Sequence, residues 1–456
     1  MLEPRNTLQL DLFNLEEPFD SGVATERSSL EARYQPLMRE DLRLGKLVTY
    51  VSNKSEPVFG WFRYKEGFSR YLVDHILKKE WQLTQEHLVF DPFAGCGTTL
   101  LACQYMGYPA LGIDIMPIAI FIAKVKLAHF AYDIPALEEA TEQLLSREYT
   151  PTGKSWPKVQ IVDLAFSREV QDKLLFYRDR IQEFDDHLVR DFLMLALLAS
   201  VEEASATSKD GQFLRIVDRP PKALEFVLAA NLNRMLGDLR SERLGTTQLE
   251  EKAKAIISLG DARRLPGELS VHQGRVSGVV TSPPYLNRYD YSRTYALELC
   301  LMYGEDGNPC VRDFDDLKSL RHSLLRSHIE SKPAPTNLVQ VPAIREVLNA
   351  LRLKRLNNAR IPIMIEGYFE DMNLVLEGLS RMLMPGGRVA LVVANARFEG
   401  EMVPTDLILS EIAASHGLET TEIRITRYKG NSSQQMGRYG RVPVRESIVF
   451  WQKSRS

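Results

Sequence analysis

Residues 281–285 read Thr281-Ser-Pro-Pro-Tyr285 and directly follow the apolar run Val276-Ser-Gly-Val-Val280, so a buried strand ends in a short rigid polar loop tipped by an aromatic. Such a loop suits chemistry on a flat amine. An exocyclic amino group on a nucleobase is a poor nucleophile because its lone pair is delocalised into the ring, so an enzyme must accept its hydrogen bonds and fix its plane. Ser282 Oγ and the Pro283 carbonyl can both accept. Pro283 and Pro284 hold φ at about −65° and offer no competing N–H, while Tyr285 presents a face to an extruded base. The plain alternative is a proline-rich turn after a core strand.

A second group lies far upstream. Leu88-Val-Phe-Asp-Pro-Phe-Ala-Gly-Cys-Gly-Thr-Thr-Leu100 is a hydrophobic strand, a glycine-rich turn and a helix beginning near Thr98. Gly95 and Gly97 let the backbone approach a ligand closely, and the unpaired N–H groups of the helix's first turn suit an anionic end. Leu100 stands where a dinucleotide loop would need its third glycine, which disfavours hydride transfer. The next strand, Pro109-Ala-Leu-Gly-Ile-Asp114, ends in an acid 23 residues after Asp91. That interval brings a carboxylate to ribose hydroxyls in a doubly wound fold; capping the helix that follows Met116 is the alternative. A third strand, Ala255 to Gly260, ends at Asp261, which either faces a ligand or caps the turn into Leu265.

The tetrad resembles the [Ser/Asp/Asn]-Pro-Pro-[Tyr/Phe] motif of the DNA amino-methyltransferases, and the glycine-rich segment resembles the Asp-x-Phe-x-Gly-x-Gly-Thr loop of S-adenosylmethionine-dependent enzymes. The resemblance implies catalytic roles for Ser282, Pro283, Pro284 and Tyr285. It implies that Asp91, Phe93, Gly95 and Gly97 wrap the methionine part of S-adenosylmethionine, with Ala94, Cys96, Thr98 and Thr281 also at the cofactor. Asp114 and Ile115 would hold the ribose, and Asp261 and Ala262 the adenine. In Trp61-Phe-Arg-Tyr-Lys-Glu-Gly-Phe-Ser-Arg70, which helical spacing marks as the start of an amphipathic helix, Lys65, Phe68 and Ser69 match a segment that closes over the cofactor carboxylate. An ordinary surface lysine with a core phenylalanine is the alternative there.

These motifs need a scaffold. Seven strands are predicted, starting near 88, 110, 255, 276, 387, 420 and 446, the last two an antiparallel pair. The fold class is α/β, a doubly wound, mostly parallel sheet with a C-terminal antiparallel hairpin, which the resemblance marks as a methyltransferase trait. The expected organisation is a flexible extension over 1–50, a core over 51–130 and 255–456, and a helical insertion over 131–254. Helical periodicity recurs there across 136–147, 167–182, 187–204 and 222–239, with a mobile loop at 205–212. A second insertion, 303–362, follows the tetrad and is the candidate target-recognition region.

At 456 residues and 44% hydrophobic content, the chain exceeds one average domain, so the surplus must be recognition or interaction structure. No apolar run approaches a bilayer's thickness and Met-Leu-Glu-Pro-Arg lacks a signal pattern, so a cytoplasmic, nucleoid-associated location is expected. Four cysteines without paired-ligand spacing indicate neither a metal site nor disulfides. Cys310 follows Pro309 in an exposed turn rather than a core strand, which disfavours a covalent thiol mechanism. The net charge of −3 makes local clusters decisive. Arg345, Arg352, Lys354, Arg355 and Arg360 face only Glu346 between 341 and 360, and the stretch from Arg424 to Arg445 holds no acid.

Double-stranded DNA is the expected partner, met by Asn287, Arg288, Tyr289, Tyr291, Arg352, Lys354, Arg355, Lys429 and Arg438. Solvated charged faces and core tyrosines are the alternatives. Gln9-Leu10-Asp11-Leu12-Phe13 resembles the motif by which bacterial proteins dock into the replication sliding clamp, with a short strand or packed arm as the alternative. The expected activity is methyl transfer from S-adenosylmethionine to the exocyclic amine of a flipped DNA base. Because serine heads the tetrad more often among the cytosine-N4 members of the family it resembles, the resemblance implies cytosine N4 over adenine N6, and a catalytically silent DNA-binding subunit is the reading from another class.

Overall fold

In the computed structural model, residues 25–209, 214–245, 254–304, 309–332, 340–430, 440 and 442–455 are described. Gln9 to Phe13 and Arg438 lie outside them. The strands are β1 (Met38–Glu40), β2 (Leu88–Asp91), β3 (Ala110–Asp114), β4 (Thr207–Ser208), β5 (Arg215–Ile216), β6 (Ala255–Leu259), β7 (Val276–Thr281), β8 (Leu383–Ala394), β9 (Ala396–Phe398), β10 (Glu401–Val403), β11 (Leu418–Lys429) and β12 (Val444–Lys453). Eight of them form one sheet in the order β1-β11-β12-β8-β7-β2-β3-β6. All seven expected strands are in it. β2, β3, β6, β7 and β8 run parallel, and β12 runs antiparallel between β8 and β11.

The eighth strand corrects the expectation. β1 pairs in parallel with β11, Arg39 opposite Arg424, and is too short for periodicity to reveal. Just before it, helix Glu26–Tyr34 is capped by Thr25 and tied down by Arg27 to Glu346 and Glu401. From Thr25 onward, therefore, the supposed flexible extension is packed structure.

Alternation along the central strands builds two cores, one on each face of the sheet. Val89, Val280, Ala390 and Val392 join a cluster with helices Thr98–Met106 and Pro117–Leu127. Phe90, Val279, Val389 and Leu391 join another, under helices Ile361–Met382 and Thr405–Ser415. The 131–254 insertion supplies helices Ile134–Ser146, Arg168–Ile181, His187–Ser200 and Leu224–Gly245. Leu174, Phe192 and Leu232 share the first cluster with the sheet, so these helices extend the core rather than forming a body apart. The loop expected at 205–212 is instead anchored as far as it is described. β4 pairs with β5, and Lys209 makes a buried ion pair with Glu298. No helix among the described residues is long and apolar enough to cross a membrane.

Candidate active site

The parallel strands deliver their C-terminal ends to one edge of the sheet, and there the two distant motifs meet. β7 ends at fully buried Thr281, whose hydroxyl donates to Asp91 Oδ1 at 2.6 Å, joining the tetrad's strand to the strand of the glycine turn. The same oxygen accepts the Phe93 N–H at 3.0 Å. Burial pushes the Asp91 carboxyl up to about 6, against the opposing hydrogen bonds from Thr281 and Thr99.

The glycine turn is held by close packing. Gly97 has φ +82°, and a Cβ there would lie 2.9 Å from Ala123 Cβ, so only glycine lets helix Pro117–Leu127 pack against the turn. Asp114 accepts the Gly95 N–H and the Met116 N–H, both at 2.9 Å, so it fixes the turn and the start of the following helix while facing the same space. Burial raises its carboxyl as well.

That space is a cleft open at its mouth and lined mostly by apolar and aromatic side chains with a few convergent polar groups. Its walls include Lys65, Phe68, Asp91, Phe93, Ala94, Gly95, Cys96, Thr98, Asp114, Ile115, Asp261 and Ala262 from the expected cofactor set, and Ser282 and Pro284 from the tetrad. Three members of the expected set stand behind the wall. Thr281 holds Asp91, Gly97 packs on Ala123, and Ser69 caps helix Arg70–Asp74 by accepting the Tyr71 N–H. The helix expected to open near Trp61 thus begins only at Arg70. Asp261 both lines the cleft and caps its turn, in a two-pronged pair with Arg263.

No family model matches the chain. Type II methyltransferase M.BsoBI of Geobacillus stearothermophilus is 32% identical across 94% of this chain and 92% of its own length. Type II methyltransferase M.AvaI of Nostoc sp. is 33% identical across 97% and 96%. The chain belongs to the type II DNA methyltransferases. M.MvaI of Kocuria varians, 24% identical over 75% of this chain and 78% of its own, is a more distant relative. A solved S-adenosylmethionine-dependent methyltransferase from Methanosarcina mazei aligns over 82% of this chain and 95% of its own at 10% identity and TM-score 0.28, too slight a likeness to add to the assignment.

S-adenosylmethionine is the cofactor of this type II methyltransferase, and the cleft's donor set fits it. Asp91, Asp114 and Asp261 suit a ligand with a sulfonium, an ammonium and ribose hydroxyls, and Tyr64 and Tyr291 add ring faces. Sequence reasoning missed several wall residues. Tyr64 stacks on Tyr295 at 4.9 Å and on Tyr291 at 6.2 Å. Tyr289 and Tyr291, expected on the DNA side, belong to this aromatic wall. Leu324, Leu325 and Ser327 come from the second insertion. Arg263 donates to the Ser323 carbonyl, and Arg326 pairs with Asp371 and Glu370, which pulls that segment over the cleft. No local motif announces it.

Tyr285 is held by residues outside the tetrad. Its hydroxyl donates to Glu446 at 2.9 Å, and Glu446, 1% exposed, also takes Arg427 and Lys429. The Lys429 ammonium sits 5.0 Å from the centre of the Tyr285 ring. Among the described residues, the cations of the Arg424–Arg445 stretch are answered by acids lying outside it. Arg424 pairs with Glu80 and Glu422, and Arg445 with Asp406 and Glu31. In the other cluster Lys354 pairs with Glu401, whereas the Arg352 and Arg355 side chains are exposed. Arg288 donates to Asn357 at 3.4 Å and lies 5.8 Å from the Phe398 ring; the Asn287 side chain accepts the Tyr289 N–H.

Proposed function

We propose that this type II methyltransferase methylates the exocyclic N4 of cytosine within a short DNA sequence, with adenine N6 as the second reading. The observation that carries the proposal is the shared cleft of Ser282 and the glycine turn, which gives a donor and a flat amine a common cavity. Duplex DNA shields that amine, so the base leaves the stack and its ring rests against Tyr285. Ser282 Oγ and the Pro283 carbonyl then accept hydrogen bonds from the two amino N–H groups and fix the amine's plane. When bound, S-adenosylmethionine supplies an electrophilic methyl group. The chain's own contribution is positioning, which needs no strong base because a methylated cationic amine releases its proton readily. Serine at the head of the tetrad favours cytosine through the resemblance already drawn. The segment around Arg352 and Arg355, in the insertion after the tetrad, is the proposed target-recognition surface, with the two arginines suited to DNA phosphates.

The test is incubation of unmethylated DNA with deuteromethyl-labelled cofactor, then digestion to nucleosides and mass spectrometry. Label in N4-methylcytosine is expected. Label in N6-methyladenine would hand the site to the second reading, and no label in DNA would reject both.

A further inference from the structure

Removing a base from a duplex leaves a hole whose lost stacking must be offset, and apolar side chains commonly fill such gaps. Leu353 is 90% exposed, at the C-terminal cap of helix Pro342–Arg352. The helix itself is firmly seated. Ala343, Ile344, Val347, Leu348 and Leu351 are buried against the body, and Glu346 pairs with Arg27. Leu353 is no part of that buried face and projects from a rigid mount.

Three further observations give this leucine a setting. Its neighbours Arg352 and Arg355 are exposed cations, suited to phosphates on either side of an inserted side chain. Lys354 is fastened to the β9–β10 ribbon, with Nζ donating to the Glu399 carbonyl at 3.0 Å and pairing with Glu401 at 2.5 Å. The loop is also joined to the tetrad's own loop. Arg288, six residues beyond Ser282, donates to Asn357, and its N–H reaches the carbonyl of Ser327 in the cleft wall at 3.1 Å. Arg288 holds φ +69°, a left-handed conformation uncommon outside glycine, so this joint is fixed by its surroundings.

We propose that Leu353 is the wedge that enters the DNA stack where the target base departs, while Arg352 and Arg355 hold the flanking phosphates. The inference rests on the DNA-methylation reading and adds a residue outside the cleft to it. Its exposure means that replacement leaves folding intact.

The test uses the full chain, with a duplex whose site is first read from DNA methylated by the wild-type protein. Single-turnover transfer is measured for wild type, Leu353→Ala and Leu353→Phe, on the paired duplex and on one whose target base faces an abasic position. Leu353→Ala is expected to lose about tenfold or more on the paired duplex and to come within about twofold of wild type on the pre-opened one, since unpairing removes the wedge's task. Leu353→Phe keeps the bulk and should retain most of the rate. Equal losses on both duplexes, or no loss on the paired one, would overturn the wedge. Failure of the wild type to methylate any DNA would remove the underlying reading, and the wedge with it.

Discussion

Asp91 is the residue on which the two halves of the site converge, because Thr281 of the tetrad's strand and Phe93 of the cofactor turn bond to the same oxygen. Its carboxyl, pushed up to about 6 by burial, titrates near physiological conditions. The raised value means that the folded protein binds a proton the unfolded chain, at about 4, has already released. Asp91's contribution to stability thus falls as pH rises from about 4 to 6 and is level above that. Cofactor binding should run the other way, since an ionised Asp91 attracts a cationic ligand. Calorimetric titration is expected to show affinity for S-adenosylmethionine weakening by up to about tenfold per pH unit below 6, with Asp91→Asn weaker at pH 7.5 and nearly flat across that range. An unchanged pH profile in the variant would exclude Asp91 as the titrating group. At this scale the sequence was informative. The motifs of Asp91, Gly95, Asp114 and Ser282 stood out in the sequence and line one cleft, but nothing local showed that Thr281 and Ser69 would stand behind it.

Strands and helices carry the next layer. The C-terminal hairpin does more than finish the sheet, since Glu446 of β12 holds the Tyr285 hydroxyl while Arg427 and Lys429 of β11 neutralise that buried carboxylate. Tyr285→Phe and Glu446→Gln are each expected to slow methyl transfer by about tenfold, and the double variant to be little slower than either alone, because both remove one bond. Additive losses in a double-mutant cycle would show that Glu446 acts elsewhere. The Lys209–Glu298 pair, 4% and 0% exposed, likewise anchors β4 to helix Ala296–Leu301. Truncating either partner should cost about 3–5 kcal/mol in urea unfolding, and replacing both by apolar residues much less. A loss below about 1 kcal/mol in the single variants would contradict this role. The hairpin was legible from its two strand-like runs, 420–428 and 445–451. Its charge balance was not, because Glu80 and Asp406 reach the arginines from other elements, while Glu422 lies on β11 just before the acid-free stretch.

At the scale of the whole molecule, two insertions surround a doubly wound sheet and serve different ends. The first thickens the core beneath the cleft, as the shared packing of Leu174, Phe192 and Leu232 shows. The second contributes Leu324, Leu325 and Ser327 to the cleft before it presents the exposed Arg352, Leu353 and Arg355. Periodicity suggested the helices of 131–254, and position after the tetrad singled out 303–362, but the latter's contribution to the cleft depends on Arg263 and Arg326 converging on buried Asp371, a purely tertiary meeting. The central claim is that donor and acceptor share this cleft. The most direct measurement is a crystal structure with S-adenosylhomocysteine bound, read as the distance from its sulfur to Ser282 Oγ. A sulfur–methyl bond of about 1.8 Å and an in-line near-attack approach of about 3–3.5 Å, followed by one hydrogen bond of about 3 Å bent at nitrogen, set that separation at roughly 6–7 Å. A ligand seated on the glycine turn with its sulfur well beyond that range, turned away from the tetrad, would contradict the account.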